Sequence, residues 1–341
     1  MTFPTQATAD TPPDAVEAAK TVPGATGQSV TGRSPGQLMW RRFRRDRTGM
    51  VSAAIVLFYL LVAAGAPLIS LVYGKDPYTT YGLDNPGLLN EYGFPILPNG
   101  GISSEFWFGI EPSLGRDVFM QLVYGIRTSL AIALAATVAI TVIGIVVGIV
   151  SGYFGGRTDY FIGRVIDVML SFPSTLFIIA FMPVVENLLV PPEEETPTWL
   201  RAVTLIIVLT VFGWAGLARL LRGNVLSLRE REFVEAARVT GASPARIIFK
   251  ELLPNLWTPI LIQSTLLLPL LVTTEAALSF LGVGMIEPTP DWGRMFLRGT
   301  EVYQDDITYL MFPGIALLIF VVAFNLLGDS VRDAFDPKIR R

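Results

Sequence analysis

Long uninterrupted runs of apolar side chains dominate the chain after residue 37. Six of them stand out: about Met50 to Val72, Thr128 to Val150, Tyr160 to Val184, Leu200 to Leu221, Leu256 to Gly282 and Ile307 to Gly328. Each approaches the roughly 20 residues that a helix with a 1.5 Å rise needs to cross a hydrocarbon core of about 30 Å. Soluble domains seldom repeat uncapped apolar spans of this length, so the pattern predicts an all-α membrane protein with six transmembrane helices. Residues 1–37 read differently. They are rich in Ala, Thr, Pro, Gly and Asp, which bury too little surface to offset ordering entropy. A disordered tail over 1–37 and a transmembrane domain over 38–341 are therefore expected. The tail is not a cleavable leader, because no basic start runs directly into an apolar segment.

The placement of cations orients the spans, since cationic loops are retained on the cytoplasmic side. One side gathers Arg41, Arg42, Arg44, Arg45 and Arg47, then Arg157 and Arg164, and Arg219, Arg222, Arg229, Arg231, Arg238, Arg246 and Lys250. The tail adds Arg332, Lys338, Arg340 and Arg341. The other side has only Lys75, Arg116, Arg127, Arg201, Arg294 and Arg298. Both termini are expected in the cytoplasm, with three loops outside. The first, Tyr73 to Gly125, is long and irregular; the second holds the acidic turn Pro191-Pro192-Glu193-Glu194-Glu195; the third carries Trp292 and Tyr303 as headgroup anchors.

Composition narrows the chemistry. The chain is 51% hydrophobic and 16% charged, with no Cys and no His. Disulfides, thiolate nucleophiles, imidazole bases and the commonest zinc and iron ligands are excluded together. No phosphate-binding G-x-x-x-x-G-K-[ST] loop occurs: Gly74-Lys75 is followed by Asp76 and lacks the upstream glycine. If ATP drives this protein, another chain must bind it.

The connection between the fourth and fifth spans is the most informative stretch. Strong helix formers run to Val239, and Gly241 is free to take the left-handed geometry that ends a helix. Ser243 then caps a second helix that Pro244 starts, with Ile247, Ile248 and Phe249 as its apolar surface. Glu235 and Arg238 are three apart and can pair on one face, and Ala236 and Ala237 offer nearly bare backbone for close packing. On physics alone, an ordinary amphipathic elbow on an anionic lipid surface is the favoured reading. The order Glu235-Ala236-Ala237-x-x-x-Gly241, with Leu253-Pro254 twelve residues after the glycine, resembles the EAA loop of ATP-binding-cassette importer permeases.

The resemblance runs from about Leu38 to Arg341 and is closest in kind to the second (C-type) transmembrane subunit of dipeptide and oligopeptide importers. It includes the basic entry Arg41 to Arg47, Leu114-Gly115-Arg116-Asp117-Val118, and Tyr124-Gly125-Ile126-Arg127-Thr128-Ser129-Leu130. Gly152-Tyr153-Phe154-Gly155-Gly156, Asp167 with Ser171-Phe172-Pro173, Ser279-Phe280-Leu281-Gly282 and Asn325-Leu326-Leu327-Gly328-Asp329 continue it. It departs at Gly109-Ile110-Glu111-Pro112-Ser113, where the family has Gly-Thr-Asp, and at Glu251, where the general pattern has Ile. The resemblance implies a permease subunit, not an enzyme, that forms half of a peptide pathway in a bacterial-type inner membrane. It implies as partners a homologous second permease, two ATP-binding subunits that use ATP and magnesium, an extracytoplasmic solute-binding protein and membrane lipid. Nucleic acid, and any cofactor or metal held by this chain, are not expected. Glu235, Ala236, Ala237, Gly241, Ser243, Leu253 and Pro254 are the implied coupling residues; none is assigned to cargo. Nickel, opine and glycopeptide importers share the permease type, so the cargo stays open at this point, and export is a further alternative.

Inside the spans, Asp167 lies three residues after Arg164 and is expected to pair with it. Glu275 is placed near the outer boundary of the fifth span, where water reaches it. Pro173, Pro259 and Pro269 are expected to bend the third and fifth spans, and Gly144 and Gly148 to mark a close helix contact. An ion-driven secondary transporter should show paired intramembrane carboxylates or inverted repeats, and a membrane-embedded enzyme clustered catalytic groups at one depth; the sequence displays neither clearly.

Overall fold

The computed structural model describes residues 35–191, 193–194 and 196–335. The tail expected over residues 1–34, the chain end from 336, and Pro192 and Glu195 of the acidic turn lie outside them. The chain divides into two units, Met1–Leu38 and Met39–Arg341, and the architecture below is that of the second.

The described residues are almost wholly helical, with only two isolated bridges, Leu89 to Pro95 and Ile110 to Asp117. In chain order the helices are α1 (Pro35–Arg45), α2 (Arg47–Tyr73), two short turns α3 (Tyr81–Asp84) and α4 (Pro98–Gly101), α5 (Val118–Phe154), α6 (Gly156–Ser171) and α7 (Ser174–Leu189). There follow α8 (Thr198–Leu228), α9 (Glu232–Val239), α10 (Pro244–Arg246), a π-helical turn (Ile247–Leu252), α11 (Leu253–Phe280), α12 (Trp292–Val302) and α13 (Ile307–Phe335). Pro35, Gly36 and Gln37, expected in the tail, instead open α1: proline presets the φ of a first helical turn. Among the described residues, five helices are long and apolar enough to cross a membrane, and a sixth crossing follows if α6 and α7 count as one.

That pair is the expected third span, Tyr160 to Val184, and it bends where Pro173 was expected to bend it, by as much as 86° between α6 and α7. Phe172 is extended (φ −77°, ψ 132°) because the residue before a proline is pushed out of the helical region. The fifth span, by contrast, runs on through Pro259 and Pro269 as one helix.

α5 and α8 form the centre. Gly144, Gly148 and Gly152 line one face of α5, and a Cβ at Gly148 would stand 2.8 Å from the Ala218 carbonyl oxygen of α8. The expected close contact is therefore between these two helices. α2 and α13 meet at Gly49 and Ser330, and α11 packs against α5 and α13. The largest apolar cluster joins Leu130, Ala133 and Ile140 of α5, Leu205 and Leu209 of α8, Val272 of α11 and Phe320 of α13. Side chains such as Leu71, Val72, Phe161 and Leu318 remain exposed, as expected for surface that meets lipid.

One end of the bundle is capped by irregular chain, and polar contacts hold it. The first loop packs more tightly than its composition suggested: Phe106 and Ile110 are buried, and Lys75 Nζ sits 3.7 Å from the Phe106 ring centre. Arg116, itself buried, donates to Glu111 at 2.5 and 2.8 Å and to Glu287 at 2.6 Å. Arg294 pairs with Glu287 too, and the Tyr309 hydroxyl donates to Glu111 at 3.1 Å. This network ties the first loop to the third loop and to the start of α13. Burial and the neighbouring Arg116 pull the Arg294 guanidinium down to about 10. Trp292, expected at the headgroups, is instead fully buried against the rings of Tyr59 and Phe320.

Candidate functional site

The opposite end of the bundle carries the elbow between α8 and α11. α8 ends at Leu228, and Arg231 in extended geometry starts α9. α9 is amphipathic: Val234 is fully buried, whereas Glu232, Phe233, Glu235 and Ala236 are exposed. Val234 packs with Leu221 and Val225 of α8, Ile149 of α5, and Ile247, Leu252 and Leu256 on the far side of the turn. Burying an aliphatic side chain of this size is worth about 1.5–3 kcal/mol, enough to pin an eight-residue helix that could not stand alone.

The turn takes the geometry its residues allow. The Gly241 N–H donates to Arg238 O and the Ala242 N–H to Ala237 O, both at 3.0 Å, with Gly241 at φ +80°. These are the two closing bonds of a Schellman motif, and they satisfy carbonyls that α9 leaves open. Ser243 then caps: its Oγ accepts the Arg246 N–H at 3.3 Å, and Pro244 occupies the first helical position. The chain does not stop after a short helix, however. From Pro244 through the π turn to Phe280 it is continuous over 37 residues, so the elbow's second arm is the beginning of the fifth span itself. A π turn places one residue more in a helical circuit than an α turn does, and such turns often mark functional sites.

The structure places the seven expected residues on and around one turn. Glu235, Ala236, Gly241, Ser243 and Pro254 are exposed, while Ala237 and Leu253 are half-buried against the Val234 cluster. No Glu235–Arg238 ion pair forms; Arg238 lies 5.9 Å from the ring of Tyr153. Arg229 anchors the elbow's entry, with Nη1 donating to the Gly152 carbonyl of α5 at 3.1 Å. Beside it, Arg222 of α8 grips Asp159 of α6 through two bonds of 2.5 and 2.8 Å. The Arg164–Asp167 pair is present at 3.8 Å, and Arg219 of α8 reaches the same carboxylate. Sequence reasoning missed Arg222 and Arg229 as fasteners; their only signal was their place in the basic flank. Among the described residues no group of three or more Asp and Glu could hold a metal ion. The outcome is an exposed knuckle, fixed to the bundle by one apolar plug and by Arg229 at its entry, and continuous with a helix of spanning length.

The bundle of helices of membrane-spanning length defines an integral membrane protein. Residues 144–341 match the family described as the binding-protein-dependent transport system inner membrane component, and the chain belongs to that family. Residues 34–90 match the N-terminal transmembrane domain of oligopeptide transport permease C, which identifies the branch. The dipeptide transport system permease protein DppC of Alkalihalophilus pseudofirmus is 33% identical over 310 residues, covering 91% of this chain and 92% of that one. The glutathione transport system permease protein GsiD of Escherichia coli O6:K15:H31 is 36% identical over 310 residues, covering 90% and 92%. Among solved structures, the MetNI methionine ABC transporter in an inward-facing conformation superposes with a TM-score of 0.51 at 22% identity, over 64% of this chain and 97% of that chain. That likeness concerns the fold.

Proposed function

We propose that this chain imports peptides as one half of a translocation pathway whose other half is a homologous permease. Its knuckle at Glu235, Ala236, Ala237, Gly241, Ser243, Leu253 and Pro254 is where a separate ATP-binding subunit docks. The observation that carries the reading is the knuckle: an exposed, sharply defined turn that runs on as helix into α11. Closure of two ATPases on ATP and magnesium would pull this turn and reorient the spans, exposing the pathway on one side of the membrane at a time. The knuckle end is then cytoplasmic, together with both termini, in a cell inner membrane. The capped end would receive cargo from an extracytoplasmic solute-binding protein. Cargo of the di- or oligopeptide class, glutathione included, is favoured by relatives that transport dipeptides and glutathione and align over nine-tenths of the chain. This chain performs no covalent chemistry.

The test is purification from native membranes with mass spectrometry of co-purifying proteins, followed by uptake of labelled di- and tripeptides into vesicles holding the assembly. Recovery of a second permease and two ATPases, with ATP-dependent peptide uptake, is the expected result. A chain that purifies alone through several detergents overturns the assembly, and an intact assembly that ignores peptides but takes up nickel or an opine overturns the cargo.

A further inference from the structure

Where α2 runs along α13, the two helices leave a groove of about 670 Å³ on their exposed face. Close approach at both ends fixes it. At one end a Cβ on Gly49 would stand 2.7 Å from Ser330 Cβ; at the other the Tyr59 hydroxyl donates to the Ala316 carbonyl at 2.7 Å. Between these points the walls are Val51 and Ile55 of α2 and Leu318, Ile319, Val322 and Leu326 of α13. Polar groups enter only at the Gly49 end, where Arg47 and Thr48 stand exposed at the mouth and Ser52 lies one turn below. From Arg47 to Ile55 the groove follows eight steps of helix, about 12 Å at 1.5 Å each, and Leu326 back to Leu318 follows the same length on α13. The hydrocarbon of one leaflet is about 15 Å deep, half of a core of about 30 Å. A groove cationic at one end and apolar for about that depth has the polarity of a phospholipid.

The charge around the mouth is a second observation, carried by different residues. Arg41, Arg42, Arg44, Arg45 and Arg47 crowd into seven positions, and the one acid among them, Asp46, is spent on capping the Thr48 N–H at 3.1 Å. Among the described residues no carboxylate pairs with Arg41, Arg44, Arg45 or Arg47. α13 brings exposed Asp329 and Asp333 to the same end, with Arg332 between them, so cations outnumber acids six to three. The last turns of α1 set Met39, Trp40 and Phe43 on one face and Arg41 and Arg45 on the other; the two rings stack at 6.1 Å, with Trp40 60% exposed. A short helix of this kind lies in the headgroup layer, its rings inward and its cations on phosphate. Asp46 is the sole residue between α1 and α2, so these cations stay close to Arg47. Polybasic segments beside a span attract anionic lipid, and a neutral headgroup gains nothing from them. A protein helix seated in the groove would bury Arg47 and would have to bring an acid to meet it.

We propose that the groove between α2 and α13 is a binding site for an anionic glycerophospholipid, one acyl chain lying between the helices and Arg47 meeting the phosphate. The arginines of α1 surround the headgroup and select its negative charge. The site belongs to the outer surface of the bundle and holds its lipid whatever cargo the permease carries.

The test uses the full chain, with whatever subunits accompany it, in nanodiscs of phosphatidylcholine doped with phosphatidylglycerol that carries a photoreactive acyl chain. Irradiation followed by peptide mass spectrometry should place the label on Arg47–Ile55 and Leu318–Leu326, and unlabelled phosphatidylglycerol should displace it where phosphatidylcholine does not. One arginine near an anionic lipid is worth roughly fivefold in affinity, so Arg47→Gln should need about five times more phosphatidylglycerol for the same labelling. Val322→Trp, which fills the groove, should remove the label there and leave it elsewhere. Label spread evenly over every exposed apolar face, or displaced equally by both lipids, overturns the site. Groove peptides that stay free of lipid while Val322→Cys cross-links to another polypeptide assign the groove to a subunit interface and overturn it too. If neither variant folds, the displacement by the two lipids in the unaltered protein decides alone.

Discussion

At the residue scale, Gly241 shows how backbone conformation alone can make a side chain intolerable. No atom lies within 4 Å of where its Cβ would stand, so space is not the constraint; its φ of +80° is. A β-branched residue there costs on the order of 1–3 kcal/mol and would be relieved by opening the turn. Gly241→Val should insert into membranes normally yet fail to couple ATP hydrolysis to uptake, while Gly241→Asn, which tolerates the left-handed region, keeps most of the coupling. Comparing ATPase rate with uptake in the same vesicles checks this, and normal uptake by Gly241→Val removes the mechanical role of the turn. Ser243→Ala, which deletes the cap, should cost about 1 kcal/mol and give a milder form of the same defect.

At the element scale, the α5–α8 seam is set by glycine. Replacing Gly148 by Leu would drive a side chain into the Ala218 carbonyl and Leu221, which should cost about 1–3 kcal/mol and lower the detergent-solubilised unfolding midpoint by several degrees. The same element shows why some of the fold was legible in the sequence and some was not. Apolar runs announced α2, α5, α8, α11 and α13, because lipid demands apolar surface over a fixed length. They did not announce that α5 begins at Val118, ten residues before the expected start, because Asp117 caps a polar-flanked first turn that hydropathy ignores. Pro173 announced a bend but not 86° of it, since the angle depends on how α6 and α7 find their own partners. In the elbow, Gly241, Ser243 and Pro244 were legible because capping is local chemistry. The π turn, the plug at Val234 and the Arg222–Asp159 fastening were not, because they depend on residues brought together from different helices. The burial of Glu275 and Asp291 was hidden for the same reason: one acid sits in a span and the other in the connection after it.

At the scale of the whole molecule, the native absence of cysteine makes the orientation directly measurable. Val239 and Tyr92 are 88% and 81% exposed at opposite ends of the bundle. In intact cells, a membrane-impermeant maleimide should label Tyr92→Cys at once and Val239→Cys only after permeabilisation; the reverse pattern would invert the proposed topology. Between those two ends runs the continuous helix that starts at Pro244, in the knuckle, and passes Glu275 before it stops at Phe280. At 1.5 Å per residue its 37 residues make a lever about 55 Å long, helical through the π turn and past Pro259 and Pro269. Tilting such a lever by about 5° displaces its tip by about 5 Å, close to the pitch of one helical turn. A small stroke at the knuckle would therefore arrive at the capped end of the bundle as a shift of several ångströms.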